Sequence, residues 1–126
     1  MSEPLRGVIV SHAAVADALV EAVGQITGDR EALVAVSNEG CSLGTLGERV
    51  KAAVGTHPAV VFVDLPGGSC LQATGQYMRS GNDVAVVTGV NLAMLVDFVY
   101  HRDLSPAEAA QRAAESGKRA TRVFTR

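Results

Sequence analysis

Gly7-Val8-Ile9-Val10-Ser11-His12 is a short apolar run that stops at a polar pair and runs straight into a helical pattern. Three β-branched residues stand in a row at its centre, which suits a strand buried on both faces. From Ala13 onward Val15, Leu19, Ala22 and Ile26 recur at helical spacing with Asp17 and Glu21 between them, and Gly28 is a stop. A strand that hands directly to a helix is the unit of an α/β fold, and a histidine sits on the junction. Ala59-Val60-Val61-Phe62-Val63-Asp64 repeats the arrangement, with Leu65-Pro66-Gly67-Gly68-Ser69 leading to a helix over 69–79.

Two further apolar runs, Ala32 to Ser37 and Asp83 to Thr88, read as strands. Ser42 caps a helix whose apolar face is Leu43, Leu46, Val50 and Val54. Ser80-Gly81-Asn82 is a turn, and Asn91 precedes an apolar helix from Leu92 to Tyr100. Ser105-Pro106-Ala107-Glu108 has capping-box spacing with proline at the first helical position, and opens an Ala-rich helix expected to end near Gly117. Arg119 to Thr125 reads as a short last strand. Strands that alternate with helices predict an open, doubly wound, mostly parallel sheet, here in the order 2-1-3-4. With no break in composition, residues 1–126 form a single domain.

Composition narrows the function. A net charge of −2 argues against a phosphate-backbone binder, and 4% aromatic residues without Trp argue against a base-stacking surface, so no nucleic acid is expected. No apolar run approaches the roughly 20 residues of a membrane span, and Met1-Ser2-Glu3-Pro4-Leu5-Arg6 lacks a signal-peptide pattern, so a cytoplasmic location is expected. Cys41 and Cys70 suggest no disulfide framework. Along the chain they show no spacing to histidine or carboxylate that would make a zinc site, so neither metal nor cofactor is expected.

In a parallel sheet of this order, ligands bind beyond the carboxyl ends of the strands, between the first and the third. Those are the strands that end in His12 and Asp64. Neighbouring strands lie about 4.8 Å apart, so the carboxylate can reach the imidazole, fix its tautomer and leave the other ring nitrogen nucleophilic. Gly67 and Gly68 allow close backbone approach, and Ser69 with the amides of the following helix offers donors to an anion. A nucleophilic imidazole, an orienting carboxylate and an anion cradle together describe phosphoryl acceptance by histidine.

Val8 to His12, Phe62 to Ser69, and Gly89-Val90-Asn91-Leu92-Ala93-Met94-Leu95 resemble the mannose-type enzyme IIA domain of the bacterial phosphoenolpyruvate-dependent sugar phosphotransferase system. The resemblance runs through nearly the whole chain, in order and at compatible spacing. It implies a homodimer that exchanges an antiparallel C-terminal strand. It implies a phosphotransferase in which His12 accepts a phosphoryl group from the histidine-containing phosphocarrier protein and passes it to a IIB component, reaching the membrane only through the transporter complex. The chain ends at Arg126 without an Ala/Pro-rich linker, so the IIB partner is expected on another chain. Asp64 would orient His12, and Gly67, Gly68 and Ser69 would contact the phosphoryl group. Ser37, Asn38 and Asn91 would stand on the same rim, Asn91 being equally a plain helix cap. The chain departs from the family at Ala13, commonly Gly; at Pro66, often aromatic; and at Cys70, often Pro. The phosphocarrier domain of the dihydroxyacetone kinase system also begins with a strand and Ser-His, but the segments from Asp64 and Gly89 fit the sugar-transport branch better.

Three other readings compete. A regulatory phosphoprotein would keep the fold without feeding a transporter. A hydrolase would use Ser69 or Cys70 with His12 and Asp64, although Leu71 stands where a G-x-S-x-G elbow needs glycine. A flavodoxin-like cofactor binder would share the fold alone.

Overall fold

A computed structural model describes residues 3–78 and 83–126. Arg79 and the turn expected at Ser80-Gly81-Asn82 lie outside the described residues. The elements are β1 (Arg6–Ser11), α1 (Val15–Thr27), β2 (Leu33–Ser37), α2 (Leu43–Val54), β3 (Ala59–Val63), α3 (Ser69–Met78), β4 (Val84–Thr88), α4 (Leu92–Val99) and α5 (Pro106–Ala120). The four strands form one parallel sheet in the order β2-β1-β3-β4.

Alternation along the central strands divides the core into two layers. Ile9, Val60 and Phe62 pack with Val23 of α1, Leu95 and Phe98 of α4, and Ala109 and Ala113 of α5. Val8, Val10, Val61 and Val63 point to the other face and meet Leu46, Val50 and Val54 of α2 and Cys70, Ala73 and Tyr77 of α3. Helices thus cover both faces, which is why β1 and β3 read as unbroken apolar runs. Phe62 and Phe98 meet edge to face, with centroids 5.3 Å apart and planes at 77°, a favoured aromatic geometry. Ser42 and Ser105 cap their helices as expected, accepting from the amides of Thr45 and Glu108.

Register determines where the strand ends fall. Ser11 lies opposite Ser37, and Val10 opposite both Val36 and Val63. His12, Asn38 and Asp64 therefore leave the sheet at one rim. The Asp64 amide still bonds Val10 O at 3.3 Å and the Asn38 amide bonds Ser11 O at 3.0 Å, so the ladder holds all three up to the point where they diverge.

Two expectations are corrected. The buried positions of α1 are Ala16, Val23 and Gly24, with Leu19 and Val20 partly buried against the core, while Val15 and Ile26, the ends of the expected stripe, are exposed. The entry angle from β1 turns the helix so that the middle of the expected stripe meets the core and its two ends do not. Helix α5 runs through Gly117 to Ala120, so Arg119 is helical, and residues 121–126 form no strand. Gly117 is a packing glycine: a Cβ there would lie 2.5 Å from the Met94 side chain. Val123 and Phe124 are exposed, and the sheet within one chain ends at β2 and β4.

Candidate functional site

Asp64 is where the rim begins to act as a site. Its Oδ2 accepts two hydrogen bonds from His12, one from the backbone amide at 2.9 Å and one at ring Nδ1 at 2.8 Å. Burial raises the Asp64 pKa, but the His12 amide, ring and charge outweigh it and hold the carboxyl below its ordinary 3.8. The Leu65 amide adds to that pull, at a geometry short of a full hydrogen bond. Asp64 is therefore a carboxylate at neutral pH. A carboxylate can only accept, so Nδ1 carries the proton and Nε2 keeps its lone pair. The side chain of His12 is 42% exposed and that of Asp64 16%, so the pair offers a nucleophile to solvent and keeps its orienting group inside.

The backbone around His12 is held by side chains from both neighbouring strands. Ser11 is fully buried, and its Oγ accepts from the Ala16 amide at 2.7 Å. This bond caps α1 from inside the sheet, because Ala14 at the helix N-cap has no side chain to do so. Ala13 adopts φ +50°, a left-handed conformation rare outside glycine. Asn38 Oδ1 accepts from its amide at 3.2 Å and Ser37 Oγ donates to its carbonyl at 2.8 Å. Ser37 and Asn38 thus stand on the rim and hold the turn that carries His12. Sequence reading did not identify Ser11 as a positioning residue; its signal was a polar residue closing an otherwise apolar strand.

The loop from Asp64 to α3 brings the helix start against the ring. Cys70 Sγ lies 3.8 Å from His12 Nδ1, so the first turn of α3 is beside the histidine, with Ser69 as its first residue and Gly68 immediately before it. Gly68 adopts φ +88°, and a Cβ at Gly67 or Gly68 would meet nothing within 4 Å. The two glycines leave open space at the positive end of a ten-residue helix, a setting that favours anions. Cys70 is fully buried, as its core reading expected, yet it also touches the site. Burial pushes its thiol up, the charge of Asp64 adds to that, and a bond from Ser69 offsets part of it. His12, Asp64 and Cys70 each offer a ligand atom within 4.8 Å of the others, a donor set that linear spacing hides.

Asn91 is occupied elsewhere. Its Oδ1 accepts from the Met94 amide at 3.0 Å, and its Nδ2 donates to Gly117 O at 3.3 Å. The side chain caps α4 and ties it to α5, the plainer of its two readings.

Comparison with known proteins agrees with this fold. No curated protein matches the chain. Among solved structures, phosphotransferase system component EIIA from Streptococcus agalactiae superposes with a TM-score of 0.88 at 21% identity, over 95% of this chain and 97% of that one. The mannose/sorbose specific IIA subunit of the phosphotransferase system from Enterococcus faecalis gives 0.85 at 22% identity, over 98% and 97%. At such identities the likeness is one of fold. A family model is more specific: that of EIIA-man, described as the PTS system fructose IIA component, matches residues 7–115. That span covers both strand ends, the Gly67-Gly68-Ser69 loop and α4, and the chain therefore belongs to the EIIA-man family of phosphotransferase system IIA components.

Proposed function

We propose that the chain accepts a phosphoryl group on His12 Nε2 from the histidine-containing phosphocarrier protein and passes it to a IIB component during sugar uptake. The observation that carries this reading is the 2.8 Å bond between His12 Nδ1 and a carboxylate held ionised. In the forward step the Nε2 lone pair attacks phosphorus, and the bond from phosphorus to the donor imidazole breaks and returns its electron pair to that ring. The proton stays on Nδ1. Positive charge that grows on the His12 ring during attack is stabilised by Asp64, as a preorganised group aimed at developing charge. His12 and Asp64 are the catalytic pair.

Gly67, Gly68 and Ser69 receive the phosphoryl oxygens. Backbone amides at a helix start, a hydroxyl and the helix dipole are suited to that charge. Ser37, Asn38 and Ser11 act one step back, through the backbone that carries His12. The outward exposure of the ring lets two partners, the donor and the acceptor, reach the same nitrogen in turn.

The chain works as a homodimer in the cytoplasm and meets the membrane only through its transporter. Exposed Val123 and Phe124 support dimerisation, together with an apolar groove of about 670 Å³ lined by Ile26, Leu92, Val96 and Tyr100. Among the described residues no helix is long and apolar enough to cross a membrane.

The test is incubation with phosphoenolpyruvate, enzyme I and the phosphocarrier protein, followed by intact-mass measurement. Wild type should gain one acid-labile phosphoryl group and His12→Ala none. Full labelling of His12→Ala would sink the reading.

A further inference from the structure

We propose that His12, Asp64 and Cys70 bind a single zinc ion, and that zinc on this site and a phosphoryl group on His12 exclude one another. The donors are a thiol sulfur, an imidazole nitrogen and a carboxylate oxygen, from the first turn of α3, the end of β1 and the end of β3. That mixture suits zinc, whereas calcium and magnesium prefer oxygen alone. Bonds of about 2.3 Å to sulfur and 2.1 Å to nitrogen and oxygen at tetrahedral angles put sulfur about 3.5 Å from nitrogen and nitrogen about 3.4 Å from oxygen. The observed separations are 3.8 Å and 2.8 Å. An ion that replaces the Nδ1 proton relieves the need for the short nitrogen–oxygen approach and draws the sulfur inward by a few tenths of an ångström.

A second observation concerns Asp64. Oδ2 takes both bonds from His12, while Oδ1 is buried and has no hydrogen-bond partner among the described residues. With Oδ1 lacking a full hydrogen bond and the Leu65 amide adding only a weaker pull, the carboxylate keeps negative charge inside the site that a cation on Oδ2 answers. The ion reaches the cluster from the side of the exposed His12 ring, and water completes its fourth position.

Proton balance explains the exclusion. Metal-free, Nδ1 carries the ring proton and Cys70 its thiol proton. Zinc takes the Nδ1 lone pair, so the ring proton moves through solvent to Nε2. The thiol proton goes to solvent, giving one proton released per ion bound. With Nε2 protonated, no lone pair is left to attack phosphorus. In the other direction, phosphorus on Nε2 keeps the proton on Nδ1, where zinc would bind. The exclusion rests on His12 being the phosphoacceptor; metal binding does not.

Cobalt(II) tests the site directly, because it takes the same donors and its thiolate complexes absorb in the near ultraviolet. Wild type and Cys41→Ser should bind one equivalent with a thiolate-to-cobalt band that zinc removes by displacement. Cys70→Ser should lose the band and bind zinc more weakly, by more than the roughly 10- to 100-fold typical of losing an outer hydrogen bond. Cys70→Ala, checked by circular dichroism, serves if the serine variant does not fold. Phosphoramidate, a small phosphoryl donor, should label both metal-free wild type and metal-free Cys70→Ser, and zinc at a concentration that fills wild type but not Cys70→Ser should stop labelling of wild type only. A missing band, or one that survives in Cys70→Ser, overturns the site. A band with unimpeded labelling under zinc overturns the exclusion. Wild type that binds cobalt but accepts no phosphoryl group, with or without metal, from phosphoramidate or the phosphocarrier protein, supports the metal site and overturns both the exclusion and the phosphoacceptor reading.

Discussion

Replacing Asp64 by Asn separates charge from shape. The two His12 donors converge on one oxygen, at 2.9 Å and 2.8 Å. An asparagine carbonyl oxygen can occupy that place and accept both, because turning the amide round would face donor with donor. Geometry and tautomer are then retained, and the negative charge is lost. A hydrogen bond to a charged partner contributes about 1.5–3 kcal/mol and a neutral one about 0.5–1.5. The backbone bond is equal before and during transfer, so only the ring bond affects the rate. With the His12 side chain 42% exposed, solvent screening puts the expected loss toward the lower part of the range, about 1–2 kcal/mol, or roughly 5- to 30-fold. Asp64→Ala also removes the acceptor from the part-buried His12 amide and frees the ring to turn, adding about 1–3 kcal/mol. Quench-flow measurement of single-turnover transfer from phosphorylated phosphocarrier protein reads both variants. The expected order is wild type, then Asn, then Ala. An Asn variant within about twofold of wild type would refute the electrostatic role (less than about 0.4 kcal/mol), and an Ala variant no slower than Asn would refute the orienting role.

Ala13→Gly should stabilise the fold, since left-handed alanine costs about 1–2 kcal/mol and glycine's extra chain entropy returns about 0.5–1; a net gain of about 0.5–1 kcal/mol in urea unfolding is expected, and a loss contradicts the strain at φ +50°. Asp64 has a depressed pKa, so its stabilising contribution is present above its unfolded value and is lost as pH falls through the folded one. The stability difference between wild type and Asp64→Asn should therefore be level near neutrality and shrink below about pH 4; growth of the difference on acidification would be inconsistent with a depressed carboxyl. Cys70 is buried with its thiol pushed up, whereas Cys41 is partly exposed. Iodoacetamide at neutral pH should modify Cys41 well before Cys70, and the reverse order, read by peptide mass mapping, would contradict that environment.

The parallel sheet was legible because β1 and β3 are buried on both faces and so carry β-branched runs that few other structures need. The pairing of His12 with Asp64 followed from strand order alone, since adjacent parallel strands of matched register end side by side. What could not be read depended on angles between elements. Val15-Leu19-Ala22-Ile26 satisfies helical spacing, but the packing of α1 on the sheet buries Ala16 and Val23, keeps Leu19 and Val20 partly buried and leaves Val15 and Ile26 exposed. Gly117 resembles a helix stop until Met94 is seen pressing against it. Ser37 and Asn38 could be placed on the rim from their strand, but their grip on the Ala13 backbone arises from a left-handed turn that alanine does not advertise. Cys70 reads as a small core residue, which it is; its contact with His12 depends on where the first turn of α3 meets the rim.

The division of labour between the two ring nitrogens of His12 is the central claim, and nitrogen-15 NMR of the ring before and after phosphorylation addresses it in one measurement. The expected spectra show Nδ1 protonated in both states, with Nε2 free before transfer and coupled to phosphorus after it. Phosphorus on Nδ1, a ring proton on Nε2 in the unmodified protein, or a phosphoryl group on Ser69 or Cys70 would contradict it.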